Sequence, residues 1–223
     1  MCYDLNSCLK RVFCVTNPSL TKNEDVRRRL VEAAGQVFAE VGYEAATVRQ
    51  ITERAEANVA AINYHFGDKL QLFRSVLQLV TSHVMSQIEA NCAAGTAEQR
   101  LLQFIRTTLS VESEGEYPWA PLLMAREITE FNATPAAFIV EAVRPLHVTA
   151  EQIVADLTGC RDMQHVQIAA SMLVTLCVTR FRQHRLDRML AKNPSQIPDD
   201  VAGTVESVFR FALAGISGLC GRE

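Results

Sequence analysis

A hydrophobic period near 3.6 residues runs through almost the whole chain and restricts the fold more than any other feature. Proline and glycine are scarce inside the long segments, and β-branched runs are short. Such spacing buries one side of a helix and leaves no two-residue alternation for a sheet. The pattern predicts an all-α protein of about nine helices.

Residues 1–20 read as an irregular extension; Cys2, Cys8 and Cys14 recur there every six residues, off any one helical face and off the usual metal spacings. The first helix opens at Thr21, where Thr21 and Glu24 fit a capping box. Val26, Leu30, Ala34, Phe38 and Val41 form its inner stripe, with Arg27, Arg28 and Arg29 beside it, and Gly42 ends it. Two short helices follow. Thr47 and Gln50 form a second capping box for one that runs to about Arg54, and Asn58 caps another that ends near His65 or Phe66. Val48, Ile51, Ala55, Ile62 and Phe66 supply a small core. Gly67 breaks the pattern, and Asp68 caps a long helix from Lys69 with Leu70, Phe73, Val76, Leu77 and Val80 inside.

Oilier helices are expected at 97–112, 120–131, 135–159, 162–192 and 198–219. The last is so apolar that it needs cover on more than one side. Val205, Val208, Phe209, Ala212, Leu213 and Ile216 are its candidate dimer residues, with helix 162–192 completing a four-helix interface between two copies. The domain reading is an extension over 1–20, a helix-turn-helix unit over 21–67 and a helical effector and dimerisation domain over 68–223.

Charge is consistent with a division of labour. Net charge is −3, yet residues 1–80 carry ten Lys and Arg against nine Asp and Glu, while the remainder carries twelve against sixteen. The first third is relieved of the acidity of the rest, which permits DNA binding there. No apolar run approaches the roughly 18 residues that span a bilayer, and no secretory signal is visible, so a cytoplasmic location without membrane partners is expected.

Thr47–Lys69 (TVRQITERAEANVAAINYHFGDK) carries the chemistry. Two short helices joined by a tight turn make a helix-turn-helix, whose second helix enters a major groove if its outer face is narrow and polar near its start. That face offers Asn58, Val59, Ala60, Asn63 and Tyr64. Asn63 suits a base edge or a phosphate, Val59 and Ala60 a thymine methyl, and Tyr64 a phosphate. His65 suits packing or the phosphate side, and Thr47 and Lys69 stand at helix starts that favour phosphate oxygens.

The stretch RRRLVEAAGQVFAEVGYEAATVRQI and the run NYHFGDK through Phe73 resemble the TetR family of bacterial transcriptional regulators over roughly residues 22–75, with Gly42, Thr47, Tyr64, Phe66 and Lys69 in register. The resemblance implies an N-terminal DNA-binding domain, a C-terminal helical ligand domain, a homodimer on a palindromic operator, and repression relieved by a small-molecule effector. One position departs from the family: Glu56 stands where it usually has a turn glycine, followed by Ala57. Ala125-Arg126-Glu127, Thr134-Pro135-Ala136 and Arg144-Pro145-Leu146-His147 resemble the CecR-like branch over about residues 120–160.

Phe104, Trp119, Met124, Arg126, Phe131, Phe138, His147, Met172, Cys177 and Phe181 are candidate lining for an effector cavity, an apolar pocket with a few polar groups. Pro145 is expected to kink its helix. No cofactor and no metal are expected. The seven cysteines are odd in number, widely spaced and without CxxC, and Cys160, Asp162 and His165 fit no strong ligand pattern. GxSxG, Walker, HExxH and GxGxxG motifs are absent, so the protein is read as a binding protein and not an enzyme. The alternatives are a thiol-based redox-sensing regulator using Cys2, Cys8 or Cys14, and a small helical enzyme with a vestigial DNA head.

Overall fold

The structure is a computed structural model that describes residues 22–92, 94–114, 116–130, 133–190 and 201–220. Cys2, Cys8, Cys14 and the Thr21 cap lie outside the described residues. Among the described residues there are nine α-helices and no strand. They are α1 (Lys22–Ala45), α2 (Val48–Arg54), α3 (Ala60–Phe66), α4 (Lys69–Cys92), α5 (Ala97–Glu114), α6 (Ala120–Glu130), α7 (Ala133–Thr158), α8 (Met163–Leu190) and α9 (Val201–Cys220). The chain divides into two compact units, and the division falls inside α4, after Ser82.

The N-terminal unit is closed by Leu30, Ala34, Phe38, Ile51, Ala55, Ile62, Leu72, Phe73, Val76 and Leu77, all buried. Phe38 meets Phe73 edge-on with ring centres 5.1 Å apart, and Tyr43 lies 4.9 Å from Phe73. The seam on α1 drifts as expected for a 3.6-residue turn: Val37 is buried in place of Val41, which stays 38% exposed. Gly42, at φ 80°, interrupts α1 with a backbone conformation that glycine adopts without a Cβ clash.

In the C-terminal unit α7 packs along α8, α9 along α5, and α5 against both α7 and α8. Leu101, Phe104, Ile105, Leu109, Ile153, Val154, Val166, Leu173, Cys177, Val205, Val208 and Ile216 fill the space between them. α7 runs through Pro145 without a break in its helical span. Among the described residues no helix is long and apolar enough to cross a membrane.

Candidate nucleic-acid interface

The two short helices are held by local chemistry that the sequence spells out. Thr47 Oγ1 accepts the Gln50 N–H at 3.2 Å, and Gln50 Oε1 accepts the Thr47 N–H at 2.8 Å, a complete capping box. At the far end of α2 the Ala57 N–H bonds to the Thr52 carbonyl at 2.9 Å and the Glu56 N–H to the Glu53 carbonyl at 3.3 Å. This pair of bonds is a Schellman closure, which needs a left-handed residue at its centre. That residue is Glu56, at φ 49°. Glu56→Gly is expected to stabilise the protein by about 1 kcal/mol, because the Cβ clash disappears. Urea unfolding checks this, and an unchanged midpoint refutes it.

The turn has a second support that sequence reading missed. Arg29, from α1, donates to the Ala55 carbonyl at 2.8 Å and also pairs with Asp25 at 3.1 Å. Arg27 places its guanidinium 5.2 Å from the centre of the Phe66 ring, and burial lowers its pKa. Arg28 pairs with Asp25 at 3.0 Å. The three arginines therefore tie α1 to the reader and to itself, whereas a sequence window shows only a run of charge. Arg54 holds Glu40 through two bonds of 2.8 and 2.9 Å, and this contact lowers the Glu40 pKa.

α3 turns one face in and one out. Ile62 is fully buried, while Asn58, Val59, Ala60, Asn63 and Tyr64 are exposed, Tyr64 at 77%. Asn58 Oδ1 accepts the Ala60 N–H at 2.9 Å, so Asn58 spends its acceptor on capping. His65 is half-buried, and burial followed by the Arg27 charge lowers its pKa, which keeps the ring neutral at pH 7. Gly67 closes α3 at φ 88°, and Asp68 Oδ1 caps α4 by accepting the Gln71 N–H at 2.8 Å.

Lys69 spends its ammonium within the unit. Its ammonium is turned inward, donating to the carbonyls of Tyr43 at 2.9 Å and Ala46 at 3.0 Å, and it sits 4.4 Å from the centre of the Tyr43 ring. The end of α1 leaves carbonyls in need of donors, and a cation from α4 satisfies them better than it would a distant phosphate.

In the C-terminal unit the expected effector residues scatter. Phe104 and Cys177 are fully buried in the core, Trp119 is nearly so, and Met124, Arg126, Phe138 and His147 are half-buried. Met172 is 62% exposed. Phe131 and the Phe181 side chain lie outside the described residues. Glu127, beside Arg126 in the motif that carries the CecR-like resemblance, is 1% exposed, an acidic group in the interior. A polar cavity of about 320 Å³ is lined by Gln87, Asn91, Gln103, Arg106, Thr107 and Ser110, none of them among the expected set. The expected dimer residues lie on the inner side of α9. Val205, Val208, Ala212 and Ile216 are buried in the chain's own core, and Phe209 and Leu213 pack against it. The outward side of α9 carries Phe211, 71% exposed, with Ala214, Gly215 and Gly218. Among the described residues no group of three or more His, Cys, Asp or Glu can hold a metal.

Comparison with known proteins agrees with this division. Residues 30–76 match the family model described as bacterial regulatory proteins, tetR family. Residues 97–216, more than half of the chain, match the C-terminal domain of the HTH-type transcriptional dual regulator CecR. The CecR regulator of Shigella flexneri is 26% identical over 161 residues, covering 66% of this chain and 71% of that protein. The transcriptional repressor AcnR of Corynebacterium glutamicum is 27% identical over 192 residues, covering 82% and 94%. The fold is similar to that of the fatty acid degradation regulator FadR from Bacillus halodurans, with a TM-score of 0.67 at 17% identity over 84% of this chain and 98% of that one. FadR from Bacillus subtilis, solved with stearoyl-CoA, is equally similar, with a TM-score of 0.67 at 17% identity over 84% and 98%. These relatives give no support to thiol sensing through the N-terminal cysteines, and as a family they are regulators and not enzymes. An exposed reading face on a capped helix-turn-helix, followed by a domain of matching ancestry, makes this chain a DNA-binding transcriptional regulator of the TetR family, in its CecR-like branch.

Proposed function

We propose that the protein is a homodimeric, cytoplasmic repressor that releases a palindromic operator when a small-molecule effector binds its helical domain. One observation carries the reading: the outer face of α3 from Asn58 to Tyr64 is exposed while Ile62 anchors its inner face. Val59, Ala60 and Asn63 meet base edges in the major groove, and Thr47, Tyr64 and His65 flank them at the phosphates. Asn58 and Lys69 serve by shaping the reader. Two copies place their α3 helices in successive major grooves, about 34–36 Å apart.

The outward side of α9 favours the dimer. Beyond the backbone of α9 itself and the neighbouring residues in the chain, no atom lies within 4 Å of where a side chain would begin at Gly215 or Gly218, and Phe211 is on the same helix, 71% exposed. On α8, Ile168 and Met172 are 39% and 62% exposed. Small residues next to large exposed apolar ones allow close helix approach across a two-fold axis. Phe211→Glu is expected to turn the dimer into a monomer in sedimentation and to weaken operator binding at least 100-fold, since one half-site is lost. A variant that stays dimeric with undiminished affinity removes α9 from the interface.

The effector acts by binding the two dimer states unequally. Trp119, Met124, Arg126, Phe138 and His147 on α6, α7 and the turn before them are its proposed contacts; Phe131, Phe181, Phe104 and Cys177 complete the candidate lining, and Met172 goes to the dimer face instead. Selection of bound sites from random DNA tests the whole proposal. An inverted repeat is the expected product, released on adding the inducing fraction of a cell extract. Enrichment of no sequence, or of an unrepeated one, overturns it.

A further inference from the structure

We propose that the cleft between α4 and α5 is a binding site for a compact hydrophilic anion, a carboxylate or a phosphate on a hydroxylated carrier, with Arg106 as its cationic anchor. The cleft is the polar cavity of about 320 Å³ lined by Gln87 and Asn91 on α4 and by Gln103, Arg106, Thr107 and Ser110 on α5. All six residues lie within the C-terminal unit. They recur at three- and four-residue intervals along each helix, so each helix turns one polar stripe to the cleft. Facing stripes of packed helices are ordinarily apolar. The other side of this same pair obeys that rule, with Ile88 buried among Leu101, Phe104 and Ile105 in one cluster. α4 and α5 are thus joined by apolar packing on one side and open onto polar groups on the other.

Two features set the cleft apart from a solvated groove. The first is Thr107, a polar floor only 6% exposed. Thr81, Thr108 and Thr158 each donate their hydroxyl to the carbonyl four residues back, at 2.9, 2.8 and 2.8 Å, as helical threonines commonly do. Among the described residues Thr107 makes no such bond, and its hydroxyl instead accepts Asn91 Nδ2 at 3.1 Å across the cleft. A hydroxyl that accepts still has its hydrogen to give, and a buried donor calls for an acceptor. The second feature is Arg106. Arg100, earlier on the same helix, spends its guanidinium on Asp156 at 2.7 Å. Arg106 is exposed and holds no carboxylate among the described residues. None of the six lining residues is acidic.

The lining therefore offers donors around a single positive charge: the Arg106 guanidinium, the amides of Gln87 and Gln103, and the Thr107 hydroxyl. A guanidinium fork matches two oxygens of a carboxylate or a phosphate. The amides suit hydroxyl groups on the rest of the ligand, whereas an acyl chain finds no apolar side chain among the six. The volume is far above the roughly 30 Å³ of one water and near the lower end for small-molecule sites, so the ligand is compact. α4 presents Gln87 and Asn91 here and buries Phe73 and Val76 in the N-terminal unit, so a ligand in the cleft touches the one helix that both units share. This is a second ligand site in the helical domain. It does not rest on the effector contacts proposed on α6 and α7.

The experiment is isothermal titration calorimetry of the full-length protein without DNA. The probes are tartrate, glycerol phosphate, the uncharged polyol erythritol, and octanoate, a carboxylate with an apolar tail. Tartrate or glycerol phosphate is expected to bind once per chain at about 1 mM or tighter, and more weakly as sodium chloride is added. Which of the two binds more tightly tells a carboxylate site from a phosphate site, and erythritol is expected to give no heat. Arg106→Gln is expected to weaken the bound anion by about tenfold or more with an unchanged thermal midpoint, because the lost group is charged and exposed. Thr107→Val is expected to weaken it as well, and Thr107→Ser to restore it. If Thr107→Val misfolds, Arg106→Gln decides. No binding of either anion at roughly ten times the stated concentration, equal binding of erythritol, or undiminished binding to Arg106→Gln overturns the proposal. Octanoate as the sole ligand, bound equally by Arg106→Gln, overturns it too and belongs to the effector lining on α6 and α7.

Discussion

Lys69→Ala is expected to destabilise the N-terminal unit by about 2–3 kcal/mol, because one substitution removes charge-assisted hydrogen bonds and a cation–ring attraction at once. The Tyr43 and Ala46 carbonyls are left without their donor, and the Tyr43 ring without its cation. Urea or thermal unfolding measures this. Where the variant is folded, the slope of log affinity against log salt is expected to match the unsubstituted protein, because an ammonium spent on carbonyls releases no DNA counterion. A phosphate-contacting lysine behaves in the opposite way: stability is unchanged and the slope falls by about one per protomer. That second outcome would return Lys69 to the DNA.

Tyr64→Ala is expected to weaken binding to all sequences alike. A hydroxyl bonded to a phosphate is worth about 1.5–3 kcal/mol, so two half-sites lose roughly 100-fold or more. The salt slope stays the same, since a phenol carries no charge to exchange for a counterion. Stability should barely move, because the ring is 77% exposed. Asn63→Ala differs in kind. If Asn63 reads a base, discrimination at one position per half-site falls by about 1–3 kcal/mol while other positions keep theirs. Binding-site selection with each variant separates the two. A Tyr64 variant with full affinity would remove that residue from the interface, and a uniform loss for Asn63 would make it a phosphate contact.

Much of the reader was legible in the chain because its signals are local. The Thr47–Gln50 capping box, the Asn58 and Asp68 caps and the glycine breaks at Gly42 and Gly67 each act within four residues, and all are realised. The left-handed turn at Glu56 was equally readable, since the family's usual glycine marks where φ turns positive. The supports were not. Arg29 meets Ala55 across 26 positions, and Lys69 meets Tyr43 across 26. No spacing rule relates residues so far apart, so neither contact is visible in a local window.

The C-terminal half shows the same limit on a larger scale. The period of α9 revealed an apolar helix, but a helix apolar on several sides does not say which side its own chain takes. Val205, Val208, Ala212 and Ile216 went inward and left Phe211 outside. By itself, then, the sequence determined the helices, their caps and the lineage, because hydrogen-bond closure and 3.6-residue burial are decided between near neighbours. Only the tertiary structure decided which arginines and which lysine are already spoken for, and which side of α9 is left over. Each of those is a choice between partners distant in the chain, made by packing that no local window contains.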